Sequence, residues 1–173
     1  MERVSPALRV AQFFFVLIGT ALLGNVRATT QHAAASTSAT VAINFALFVF
    51  ALSWIAVLYS LVSSFVPVIV VPIVTLVLDG FATLFTVIGA IVLSAKLTTV
   101  NCAHWGSRPS DWIAFGSGDT QKRCREIQAG LVFMWFLFAA FAATLLFAFR
   151  EFRRGGGSIG RPSMSQIGSQ LGV

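Results

Sequence analysis

Apolar residues along this chain gather into four nearly charge-free runs, 10–26, 41–62, 68–95 and 127–149, of 17, 22, 28 and 23 residues. A helix rises about 1.5 Å per residue, so roughly 20 apolar residues cross a hydrocarbon core about 30 Å thick. Inside lipid no water pairs with backbone amides, and a continuous apolar run must satisfy them within itself as a helix. The runs also lack the alternation of barrel strands. The pattern predicts an all-α fold, an integral-membrane four-helix bundle. Residues 1–9 form an N-terminal tail, 10–149 the four-span unit, and 150–173 a flexible basic tail.

Composition removes the soluble alternatives. With 57% hydrophobic and 10% charged residues in 173, the chain has too little polar surface to cover a water-borne globule. Arg3 and Arg9 before the first run and Ala33, Ala34 and Ala35 after it resemble a cleavable leader, but a 17-residue core exceeds the usual leader length, so the run is read as a retained span. An even number of spans puts both tails on one side.

Charge does not choose that side. The tails carry Arg3, Arg9, Arg150, Arg153, Arg154 and Arg161, and the loops carry Arg27, Lys96, Arg108, Lys122, Arg123 and Arg125, six each. The net charge of +6 is thus split between two faces, and no nucleic-acid partner is expected. Cysteine breaks the tie, because Cys102 and Cys124 both lie in the loop 96–126. A disulfide closing that loop requires an oxidising compartment, which places the loop outside and both tails in the cytosol. Two unpaired thiols are the plain alternative. A metal site on Cys102, His104 and Cys124 is disfavoured for want of paired, short-spaced ligands.

The loop 27–40 carries no recognisable site. The turn 63–67 is so short that the second and third spans must be antiparallel neighbours. Pro67 and Pro72 follow closely, and proline is tolerated in a first helical turn but not inside a helix, so the regular third span begins near Pro72. Trp105, Trp112 and Phe115 suit either the headgroup layer or a small core pinned by the disulfide. Beyond the fourth span, Arg150, Arg153 and Arg154 form a basic collar before a Gly-rich tether starting at Gly155. The collar either holds the tail to anionic inner-leaflet lipid or simply anchors the helix end. Ser163 and Ser165 are candidate phosphorylation sites whose modification would weaken such adhesion.

Asp79 is the charged residue deep within a span, and an intramembrane carboxylate is a functional candidate. Thr83 and Thr86, with Thr75 one turn earlier, share its face and predict a polar stripe. That stripe serves either a proton, ion or headgroup contact or an interhelical hydrogen bond to a group such as Asn44 or Gln12. The second is preferred, because transport needs polar groups converging from several spans. Ala82, Thr86, Ala90 and Ser94 recur every four residues, and Ala139 and Ala143, with Ala140 and Thr144, make a similar strip in the fourth span. Such strips let helices approach closely, within one chain or between copies in a homo-oligomer. The Phe-rich remainder of the fourth span faces lipid in part. The two histidines, His32 and His104, lie in loops, and no acid pair or phosphate-binding glycine loop is present. No enzyme and no cofactor are expected.

The run Thr75, Leu76, Val77, Leu78, Asp79, then Cys102, then Gly116, Ser117, Gly118 and Arg123, Cys124, Arg125 before the last span, resembles the fungal branch of the MARVEL-domain proteins. With a tail that includes Ser165 and Gln166, it is similar to the non-classical export proteins associated with eisosomes. The resemblance implies a multi-pass plasma-membrane organiser of furrow-like microdomains, responsive to sphingolipid and linked to unconventional secretion. It implies sphingolipid, sterol and anionic inner-leaflet lipid, further copies of the chain and the eisosome coat as partners. A small transporter or channel using Asp79 is the alternative class.

Overall fold

The computed structural model describes residues 4–30, 36–65, 72–98, 101–103 and 108–155. These form four helices: α1 Val4–Ala28, α2 Thr37–Phe65, α3 Pro72–Leu97 and α4 Thr120–Gly155. Each is long and apolar enough to cross a membrane. Pro72 does open α3, where its missing N–H leaves no bond unmade.

Three of the helices, α1, α2 and α4, overrun their apolar runs at both ends. α1 begins six residues before residue 10, so Arg9 belongs to a helix and not to a tail. α4 has 36 residues, about 54 Å of helix, and starts inside the segment expected to be loop. It also carries Arg150, Arg153 and Arg154 in regular helix through Gly155, so the collar is helical where a flexible tail was expected. Capping explains two of the starts. Ser36 Oγ accepts the Ala39 N–H at 3.2 Å ahead of α2, and Asp119 Oδ1 accepts the Lys122 N–H at 2.9 Å ahead of α4.

Among the described residues, α1 packs on α2 and α4, and α3 packs on α2 and α4. The ring order is α1–α2–α3–α4, with α1 facing α3 across the diagonal. One end gathers the C-termini of α1 and α3 with the N-termini of α2 and α4, together with the described loop residues 101–103 and 108–119. The opposite end holds Arg9, Asp79 and Thr144.

Each helix buries one narrow seam. On α1 the buried positions are Arg9, Gln12, Val16, Gly19, Leu23 and Val26, with Thr30 just past its end, alternating three and four residues apart. On α4 they include Ile127, Gly130, Met134, Leu137, Phe141 and Thr144. This 3.5-residue repeat is the left-handed packing of helix bundles. Glycines in the seams admit large neighbours: a Cβ on Gly19 would overlap the ring of Phe50, and one on Gly130 would come within 2.9 Å of Leu23 Cδ2. Gly19→Ala is expected to cost about 1–3 kcal/mol through this overlap. Unfolding in mixed micelles checks it, and an unchanged midpoint would mean the helices can part freely there.

Between the seams the surface is apolar, with Phe14, Phe48, Phe81, Phe136 and Phe147 all about half exposed. In the Phe-rich stretch of α4, Phe141 is fully buried while Phe136 and Phe147 face outward.

Candidate functional site

Asp79 is buried in the bundle, 1% exposed, and its partner is Arg9, itself 7% exposed. Arg9 Nη1 donates to Asp79 Oδ1 at 2.8 Å and Nη2 to Oδ2, a two-pronged pair joining helices that face each other diagonally. Arg9 Nη1 also donates to Gln12 Oε1 at 3.1 Å, and Gln12 Nε2 donates to Thr144 Oγ1 at 3.3 Å. Thr144 in turn donates to the Phe141 carbonyl at 2.9 Å. Polar groups from α1, α3 and α4 therefore converge; the sequence offered Gln12 as a partner for Asp79, but not Arg9 or Thr144. A fixed cation opposite the carboxylate lets both charges persist away from water, where either alone would be costly.

On α3, Asp79 and Thr86 are buried and Thr83 is half-buried, but of the three only Asp79 bonds to another helix among the described residues. Thr83 Oγ1 donates to the Asp79 carbonyl at 2.6 Å and Thr86 Oγ1 to the Ala82 carbonyl at 2.7 Å, so both hydroxyls serve their own helix. Asn44 does not meet Asp79. It is exposed near the other end of the bundle, and its Oδ1 accepts Arg27 Nε at 2.9 Å. Gln12 does join the cluster, through Arg9.

The small-residue strips divide in the same way. Ala82, Thr86 and Ala90 are fully buried and consumed by packing inside the chain. Ser94 and Ala143 are half-buried and Ala139 is exposed. Strict four-residue spacing drifts off a 3.5-residue seam, which is why the ends of these strips leave it. Ala140 and Thr144 occupy the α4 seam instead.

At the other end, a disulfide joins Cys102 to Cys124 with Cα atoms 5.7 Å apart. It consumes both sulfurs, closing the reading of unpaired thiols and that of a cysteine metal site. Trp112, Ile113 and Ala114 are buried and join the core of the bundle, so Trp112 belongs to that core and not to the headgroup layer. Its indole N–H donates to the Leu97 carbonyl at 3.0 Å, satisfying the end of α3. Thr98 follows in the left-handed region, φ 58°, unusual for a β-branched residue, and is held by Arg108 Nη1 on its Oγ1 at 2.9 Å. Arg108 also lies over the Trp112 ring, 5.9 Å from its centroid.

Arg123 does for α1 what Trp112 does for α3. It is 2% exposed and donates to the Val26 carbonyl at 3.1 Å, to Thr30 Oγ1 at 2.8 Å and to the Ile113 carbonyl at 3.4 Å. A cation on the last carbonyls of a helix also complements its dipole. Neither this role nor that of Arg9 was found from sequence, since a buried arginine is spelled like an exposed one. The signal available was position: Arg123 stands beside Cys124, and Arg9 falls in the α1 repeat.

Removing the disulfide by Cys102→Ser is expected to cost about 3 kcal/mol, because the bond closes residues 22 apart. The wild-type chain should also migrate differently on gels with and without reductant, and the variant should not. Identical wild-type migration in both conditions would contradict the bond.

Arg150 and Arg153 are exposed, with Arg153 over the Phe149 ring at 5.9 Å. The Arg154 side chain, Arg3, His32, Ala33, Ala34, Ala35, Pro67, His104, Trp105, Arg161, Ser163, Ser165 and Gln166 lie outside what the structure describes, so the phosphorylation sites and part of the lipid collar have no structural account.

The sequence matches the family model "MARVEL: Membrane-associating domain" over residues 3–147. It is 29% identical over 174 residues to the Saccharomyces cerevisiae protein called Non-classical export protein 2, covering 92% of this chain and 95% of that one. No solved structure matches it. A helical bundle with four spans, matched by that domain over most of its length, places this chain in the MARVEL family of multi-pass membrane proteins.

Proposed function

We propose that this chain is a non-enzymatic organiser of the plasma membrane, with the loop 98–119 outside the cell and both tails in the cytosol. The observation that carries the reading is the division of polar and apolar groups. Arg9, Asp79, Gln12 and Thr144 satisfy one another inside, while the flanks are an unbroken apolar collar of Phe and branched aliphatic residues. What the bundle offers its surroundings is therefore contact with lipid and with neighbouring proteins. In this reading sphingolipid- or sterol-rich bilayer packs against the aromatic faces, further copies associate through exposed positions such as Ala139, and Arg150 and Arg153 meet anionic lipid or the eisosome coat.

Asp79 has both oxygens engaged by Arg9, which argues against a free coupling carboxylate of the kind a transporter needs. The name of the similar yeast protein supports a second reading, a role in non-classical export. A fluorescent C-terminal fusion in living cells separates the two. Stable cortical patches, with several copies per particle in native-membrane nanodiscs, are expected for the organiser. A diffuse endomembrane pattern, or single copies throughout, would favour the export role.

A further inference from the structure

Two clefts open side by side on the α1–α4 seam at the loop end, about 320 Å³ and 300 Å³ in volume, sharing Asp119, Lys122 and Glu126. The first extends toward the apolar part of the bundle, reaching Leu22 and Ala129, and carries Arg125 on its rim. The second runs inward past Asn25 and Ser117 to Arg123. Together they make a groove that is apolar below and charged above, at the level where α4 passes from Asp119, Lys122 and Arg125 into its hydrocarbon run at Ile127.

The charged rim has both signs in fixed places. Glu126 is largely buried, its side chain 17% exposed, with Oε1 accepting the Asn25 amide at 2.8 Å and standing 4.0 Å from Lys122 Nζ. Asp119 is held by its bond to the Lys122 N–H. On the same rim, Lys122 and Arg125 are exposed. At the inner end Arg123 is nearly all buried, forms no ion pair among the described residues, and keeps one nitrogen, Nη2, without a hydrogen-bond partner. A buried guanidinium donor left unspent beside a cleft is costly unless an acceptor reaches it.

We propose that this groove is a binding site for a phospholipid whose headgroup carries a phosphodiester and a primary ammonium, as in phosphatidylethanolamine. The phosphate sits between Lys122 and Arg125. The ammonium sits on Glu126 and Asp119, and the upper part of an acyl chain follows Leu22 and Ala129. A purely anionic headgroup meets the same two carboxylates without compensation. A trimethylammonium has no N–H to donate to them, and among the described residues no aromatic ring lines either cleft to receive it.

The test uses the full chain in detergent, incubated with equal amounts of phosphatidylethanolamine, phosphatidylcholine and phosphatidylglycerol of identical acyl chains, and reads retained lipid by native mass spectrometry. Phosphatidylethanolamine is expected to dominate the adducts. Lys122→Gln with Arg125→Gln, both exposed and outside the packing, should lower its retention roughly tenfold with unchanged thermal stability. Glu126→Gln, which keeps an oxygen for Asn25, should shift the preference toward phosphatidylglycerol. Equal retention of all three lipids, a preference for phosphatidylglycerol in the wild type, or variants indistinguishable from it would each overturn the proposal. None of these outcomes depends on whether the chain self-associates or forms cortical patches.

Discussion

Asp79→Leu is expected to destabilise the bundle by about 3–5 kcal/mol, because it strands the Arg9 guanidinium where neither water nor another carboxylate reaches it. Arg9→Leu strands Asp79 in the same way and should cost a similar amount. The combined variant, Arg9→Leu with Asp79→Leu, should recover most of the loss, since an apolar pair of comparable volume carries no desolvation penalty. Reversible unfolding of all four forms in mixed micelles gives the coupling energy directly. If the two single losses simply add in the double variant, the charges do not depend on each other and the diagonal tie is not an ion pair in the membrane. The same series bears on function: an organiser should keep its cortical pattern in the double variant, whereas a carrier using Asp79 should lose its flux.

Arg123→Met is expected to cost about 3 kcal/mol. It leaves the Val26 and Ile113 carbonyls and Thr30 Oγ1 without their shared donor in a buried place, and bonds from a charged donor are the strong ones. Arg123→Lys should recover only part of this, because a single ammonium cannot fork to acceptors on two segments as the guanidinium does. The readouts are unfolding in micelles and the rate at which reductant opens Cys102–Cys124, which should rise in both variants as the loop loosens. A reduction rate equal to wild type in Arg123→Met would show that the loop is held without Arg123.

The spans were readable from sequence because lipid demands long uninterrupted apolar runs, and no other requirement of a fold is so plainly written. The start of α3 at Pro72 and the pairing of the two cysteines were readable for similar reasons, one steric and one covalent. The packing seams were not. In water a helix announces its inner face by contrast with a polar outer one, but here Val16 inside and Leu17 outside are equally apolar. With contrast gone, the remaining signs are small residues and stray polar ones. Gly19 and Gly130 mark two seams, and Arg9, Gln12, Asp79 and Thr144 mark three at one end. Arg9 misled because a charge just before an apolar run normally signals the membrane edge. Its withdrawal from the tails is matched by that of Arg123 from the loops, so counting the remaining basic residues leaves the two sides as evenly balanced as before.

The fastenings of the bundle are unequal from end to end. At the loop end, a covalent bond, the contacts of Trp112 and Arg108 with the end of α3, and the fork of Arg123 bind α1, α3 and α4 together. At the tail end, the cross-link over the diagonal is one ion pair with Gln12 and Thr144 beside it. Lateral stress from a bilayer thinner or thicker than the helices therefore works against a rivet on one side and a latch on the other, so the four rods splay from the latch.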